Sequence, residues 1–153
     1  MEPFVRNFVR ASLVWLGVGV LIGLSMAFWP GPALVYRPAH VHANLLGFVS
    51  MMIFGVAYHV IPRFTGNALN SRPLARAHLW VANAGLALLV GGWLLRVVAM
   101  RVSTPLVHAG ALLSAAGAFC FIYNLWRTLG APNPARRGPM PAGLVAPHPT
   151  GKS

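Results

Sequence analysis

Residues 39–61, AHVHANLLGFVSMMIFGVAYHVI, run without a single Asp, Glu, Lys or Arg between Pro38 and Pro62. At a rise of 1.5 Å per residue, a helix over roughly 23 positions spans about 34 Å, enough to cross a ~30 Å hydrocarbon core. A strand of that length is excluded, because backbone facing lipid must satisfy its hydrogen bonds within its own segment. The stretch therefore reads as a membrane-crossing helix, bounded by the two prolines.

Outward from it, three more runs share this character. The first covers 5–29 and is stopped by Pro30, Gly31 and Pro32. The third covers 74–100, after Arg72 and Pro73. The fourth covers 105–129, with Ser103 and Thr104 as candidate N-caps and Gly130 behind it. The expected fold is all-α: a four-transmembrane-helix bundle over 1–130, followed by a disordered tail over 131–153 rich in Pro and Gly. Composition agrees. Of 153 residues, 57% are apolar and 8% charged, whereas a soluble domain carries about a quarter charged. The single Cys excludes an internal disulfide. The first run is too long for the apolar region of a signal peptide and is expected to stay uncleaved.

Twelve basic residues face one acid, Glu2, for a net charge of +11. Arg6, Arg10, Arg63, Arg72, Arg76, Arg127, Arg136, Arg137 and Lys152 fall at one end of the bundle; Arg37, Arg96 and Arg101 fall at the other. The positive-inside bias then puts both termini in the cytoplasm of a bacterial-type inner membrane. The charge reads as topology and contact with anionic lipid, not with nucleic acid.

Five histidines lie within the spans, where ionisable groups are costly and mark functional or paired positions. His40 and His42 are about 200° apart around a helix, so they cannot hold one ion from one face. The spacing suits a helix between two planar cofactors, one nitrogen offered to each; the alternative is two histidines wetted at the headgroup level. His59 reads as a hydrogen bond to a carbonyl freed by Pro62 or to a neighbouring helix. His78 reads as an interfacial anchor beside Trp80, or as His59's partner. His108 shares the level of His40 and His42 and is the spare ligand. His148 lies in the tail. Gly19 and Gly23, and likewise Gly110, Ser114 and Ala118, mark close helix approach, and Cys120 reads as filler.

The stretch HVHANLLGFVSMMIFGVAYHVIPRFTG, His40 to Gly66, resembles one helix of the haem–copper oxidase catalytic subunit, in particular its cbb-type and nitric-oxide-reductase branches. The shared features are the His40/His42 pair, Leu46-Gly47, and the ending Gly55, Tyr58, His59, Pro62. HLWVANAG, His78 to Gly85, is similar to the segment that follows in the cbb-type subunit. The resemblance implies that His40 is the axial ligand of a high-spin haem and His42 a ligand of a low-spin haem. It gives His59 and His78 no ligand role. The family's subunit holds twelve core helices in three groups of four, and this chain holds one group. Its copper-binding histidine cluster, the attached Tyr and a membrane carboxylate or Lys for proton transfer are missing here.

Three identical chains in place of the three groups would put His40 of one protomer and His42 of the next at each junction. The expectation is a homotrimer with interfacial haem b, acting as an electron carrier fed by a respiratory donor such as cytochrome c or quinol. Arg37, Arg96 and Arg101 are candidates for the haem propionates, against ordinary snorkelling at helix ends. The metal-ligand candidates are His40, His42 and His108, with His42 and His108 as a pair within one chain. Copper is not favoured. The competing functions are a haem enzyme or sensor open to NO or O₂, and an accessory subunit of a respiratory oxidase.

Overall fold

The computed structural model describes residues 1–131, and all their regular structure is helical. Four helices are each long and apolar enough to cross a membrane: α1 (Pro3–Phe28), α2 (Ala33–Thr65), α3 (Arg72–Leu95) and α4 (Met100–Leu129). They alternate in direction. One end, here the basal end, carries Pro3, the α2–α3 loop and the end of α4; the distal end carries the α1–α2 and α3–α4 connections. Apart from Ala131, the expected disordered tail lies outside the described residues, as do Arg136, Arg137, His148 and Lys152.

The helix boundaries move from those expected. Pro38 and Pro62 both lie inside α2, which runs from Ala33 to Thr65. A proline removes one amide hydrogen and crowds the preceding turn, but neighbouring helices let a membrane helix continue past it. The helix stops at Gly66 instead, whose φ of 70° closes the C-terminus in the left-handed region that glycine adopts without strain. α3 ends at Leu95, and Met100 to Thr104 join α4.

α2 is not uniform. Ala33–His42 and Met51–Thr65 are α-helical, while Ala43–Ser50 widens into a π-helix. The sequence carries the reason. The buried positions Ala39, Ala43, Gly47, Met51 and Gly55 recur every fourth residue. With 3.6 residues per turn, four such steps rotate by about 160°. The wider turn accommodates more residues and keeps this seam facing its neighbours.

α1 packs along α2, α4 along α3, and the distal part of α2 against α3. Glycines set the separations. A Cβ on Gly47 would fall 2.5 Å from Trp15 Cβ, and one on Gly55 2.9 Å from Phe8 Cβ. Between α3 and α4 the backbones themselves meet: a Cβ on Gly85 would sit 2.6 Å from the Ser114 nitrogen. Four of the buried residues of α4, Ser103, Gly110, Gly117 and Asn124, are spaced by seven, as in coiled coils, and Leu125 and Thr128 join them at the basal end. The close approach expected at Gly110 and Ser114 is present as well: a Cβ on Gly110 would meet the Leu89 backbone. Trp15 Nε1 donates to Asn83 Oδ1 at 3.0 Å and ties α1 to α3.

Two features fasten the basal end. Asn124 Oδ1 accepts from the Ser71 amide at 2.9 Å, and its Nδ2 donates to the Ser71 carbonyl at 2.8 Å. Asn67 Nδ2 donates to the carbonyls of Thr128 and Ala131. Ser71 in turn caps α3 by accepting from the Leu74 amide. Large apolar side chains such as Leu21, Leu112 and Phe119 stay exposed on the outside, the surface a bilayer covers.

Candidate haem-ligand site

The distal end of α2 brings His40 and His42 into two different settings. His40 lies half-buried against α1. Its Nδ1 is 2.8 Å from the Gly19 carbonyl oxygen, and a Cβ on Gly23 would fall 2.9 Å from its Cε1. The Gly19/Gly23 step is thus not only a helix–helix contact; it is the seat of an imidazole. Asn44, one turn on, fills the space over Gly19 and donates Nδ2 to the His40 carbonyl at 2.8 Å.

His42 turns its Nδ1 to the Pro38 carbonyl, 2.7 Å away and one turn back on its own helix. A carbonyl only accepts, so Nδ1 carries the proton in both rings and Nε2 keeps its lone pair. The longer approach of Asn44 Nδ2 to His40 Nδ1, 3.4 Å, is then a neighbouring contact and not a donated bond. Neither Nε2 atom has a hydrogen-bond partner among the described residues. That donor set fits an axial ligand of iron: a neutral imidazole oriented through Nδ1–H and bare at Nε2.

The other candidates spread around this end. Arg37 and Arg101 are exposed, and Arg96 is half-exposed with its guanidinium 4.9 Å from the Trp93 ring centroid. Trp93 Nε1 is buried without a partner. His108 is exposed on α4, a helix that packs mainly along α3 and meets the basal part of α2, where Phe121 contacts Phe54 and Tyr58. Among the described residues no group of three or more His, Cys, Asp or Glu forms a metal site.

The structure re-sorts the two basal histidines. His78 is fully buried, so it is no interfacial anchor, although Trp80 beside it is 74% exposed. Its Nδ1 is 3.1 Å from the Tyr58 hydroxyl, and Phe8, Phe54 and Phe121 surround the ring. Its Nε2 has no partner. His59 instead accepts from Arg63 Nη1 at 2.8 Å. Adjacent residues on a helix point about 100° apart, and Tyr58, not His59, faces the interior. The pairing sequence reasoning missed was thus signalled by Tyr58 in the same motif.

Comparison with known proteins bears directly on this constellation. The sequence profile of cytochrome c and quinol oxidase polypeptide I matches residues 33–133, from the first turn of α2 past the end of α4. The chain belongs to this oxidase subunit I family. It is 28% identical to the cbb3-type cytochrome c oxidase subunit CcoN1 of Stutzerimonas stutzeri, over 88% of this chain and 34% of that protein. It is 30% identical to a bacteroid cytochrome c oxidase subunit 1 homolog of Bradyrhizobium diazoefficiens, over 84% of this chain and 28% of the relative. The cytochrome c oxidase subunit 1 of Rhodobacter capsulatus is 28% identical over 84% of this chain and 29% of its own length. The chain thus spans about a third of the length of the curated subunit I relatives it matches. The resemblance read from His40 to Gly85 falls within the matched region, and the four-helix bundle is what a segment of such a subunit supplies.

Proposed function

We propose that this subunit I relative is a haem b-binding membrane protein for electron transfer, with His40 and His42 as axial ligands. The observation that carries the reading is the shared posture of the two imidazoles. Each donates Nδ1–H to a backbone carbonyl, Gly19 or Pro38, and each leaves Nε2 unspent. Fixing the tautomer this way raises the basicity of the ligating nitrogen and removes the cost of orienting the ring on binding. Haem, when bound, supplies one-electron redox chemistry. The chain supplies orientation at His40 and His42, and positive charge at Arg37, Arg96 and Arg101 to offset the propionates. The buried Trp93 Nε1–H, beside Arg96, adds an unspent donor at the same end.

Ligands set in different surroundings on one helix suit cofactors at boundaries between subunits, and a homotrimer closes such boundaries by rotation. With two imidazoles on each iron, no position stays open for a substrate, and the role is that of a carrier placed in the bacterial inner membrane with both termini cytoplasmic. A second reading rests on the relatives: they are oxidase subunits about three times as long, which supports a role within, or docked to, a respiratory oxidase. The test is a reduced-minus-oxidised spectrum with a pyridine haemochrome assay on purified protein. A sharp low-spin α-band from haem b is the expected result, and a Soret shift on adding CO or NO favours an open iron site. A colourless preparation after haem loading would sink the proposal.

A further inference from the structure

At the basal end, far from the histidine pair, α1, the end of α2 and the α2–α3 loop enclose a cleft of about 540 Å³. Its lining carries both signs of charge: Arg63 and Arg72 on one hand, Glu2 on the other. Glu2 is the only acid in the chain. Phe4 and Leu69 add apolar wall. Trp80 and Trp126, 74% and 76% exposed, surround the bundle at the same end. Exposed tryptophans of this kind mark the level of lipid headgroups.

Three details describe what the cleft lacks. Arg63 is held in place by His59, with Nη1 on both its ring nitrogen and its carbonyl at 2.8 Å; the rest of the guanidinium keeps its donors for an oxyanion. Arg72 meets Glu2 at 3.3 Å, but both side chains are partly exposed, and such pairs are weak and readily rearranged. Asn67 is buried and uses both Nδ2 hydrogens on carbonyls, which leaves its Oδ1 without a donor. The lining therefore offers guanidinium donors to an anion and carboxylate and amide oxygens to a cation that can donate hydrogen bonds.

We propose that this cleft binds the phosphoethanolamine headgroup of a membrane lipid, its phosphate at Arg63 and Arg72 and its ammonium at Glu2 and Asn67. A purely anionic headgroup would satisfy the arginines and be repelled by Glu2. A phosphocholine headgroup has the right charges but no N–H, so it leaves the oxygens of Glu2 and Asn67 unserved. The acyl chains run along the exposed flanks of α1 and α2.

The experiment is native mass spectrometry and lipid titration of the delipidated full chain in detergent, with phosphatidylethanolamine, phosphatidylcholine and phosphatidylglycerol of identical chains. Phosphatidylethanolamine should bind about tenfold more tightly than phosphatidylcholine, the margin of one charge-assisted hydrogen bond. Glu2→Gln, which keeps the side chain's size and the backbone carbonyl that caps α1, should remove that preference, and Arg63→Gln should weaken both. Equal binding of the lipids, or an unchanged preference in Glu2→Gln, overturns the proposal. So does equal affinity for free O-phosphoethanolamine, which would mark a soluble ligand. Haem content enters none of these readouts.

Discussion

Nδ1 of His40 on α2 lies 2.8 Å from the carbonyl oxygen of Gly19 on α1, across a notch that exists because residues 19 and 23 of α1 have no side chain. One contact thereby connects a sequence feature, a GxxxG step, to packing and then to the tautomer of a candidate ligand. The notch is shaped for an imidazole, and Asn44 closes its other half.

Enlarging the notch residue should move the imidazole before it unfolds the bundle. A Cβ on Gly23 would lie 2.9 Å from His40 Cε1, so Gly23→Val must displace the ring. The expected outcome is a lower haem-to-protein ratio, or an altered α-band, with helical content by circular dichroism retained. Gly17→Val is the control, since nothing lies within 4 Å of a Cβ there, and its spectrum should match that of the parent protein.

The ligand assignment itself predicts a contrast between histidines. His42→Ala should bleach or convert the haem spectrum, because it removes a bare Nε2 that no other side chain replaces. His78→Ala should leave the spectrum unchanged, since His78 is sealed among aromatic rings at the basal end. Haem lost in the second variant and kept in the first would reverse the assignment.

The four spans were legible because freedom from charge over 23 or so residues has one physical meaning in a chain of this kind. Proline positions misled at Pro38 and Pro62, since tertiary neighbours decide whether a helix survives them. The His40/His42 pair was visible as a spacing; its Nδ1 partners were not, because they depend on the Gly19 carbonyl of another helix and on a ring rotation. The π-helical turn was written in the every-fourth seam from Ala39 to Gly55, a pattern that resembles ordinary small-residue packing until the drift of a 3.6-residue repeat is considered. His78 was misplaced because its depth was judged from sequence position and its neighbour Trp80, whereas burial on a helix depends on the face.

Asn124 should be the most sensitive polar residue of the basal end. Both ends of its amide engage the backbone of Ser71, at 2.9 and 2.8 Å, and the side chain is fully buried. Asn124→Leu leaves the Ser71 amide and carbonyl without these partners. Each group stranded in this way costs about 1–3 kcal/mol, so unfolding in detergent or mixed micelles should occur at clearly lower temperature or denaturant. Exposed Tyr123→Leu, one position away, should change little.

The buried pair of Tyr58 and His78 invites a double-mutant cycle. Their hydroxyl–Nδ1 contact of 3.1 Å is the sole hydrogen bond that His78 makes within the described residues, for its Nε2 is already unpaired. Tyr58→Phe therefore strands a second ring nitrogen in an aromatic enclosure and should cost about 1–3 kcal/mol. His78→Phe removes one partner of the Tyr58 hydroxyl but leaves it Asn124, and should cost less. The double variant removes both members of this pair and keeps the ring volume close to the original, so it should be more stable than the sum of the single losses by about 1 kcal/mol or more. Additive losses in equilibrium unfolding would mean that the two groups do not depend on each other, and that packing against Phe8, Phe54 and Phe121 alone holds the His78 ring in place.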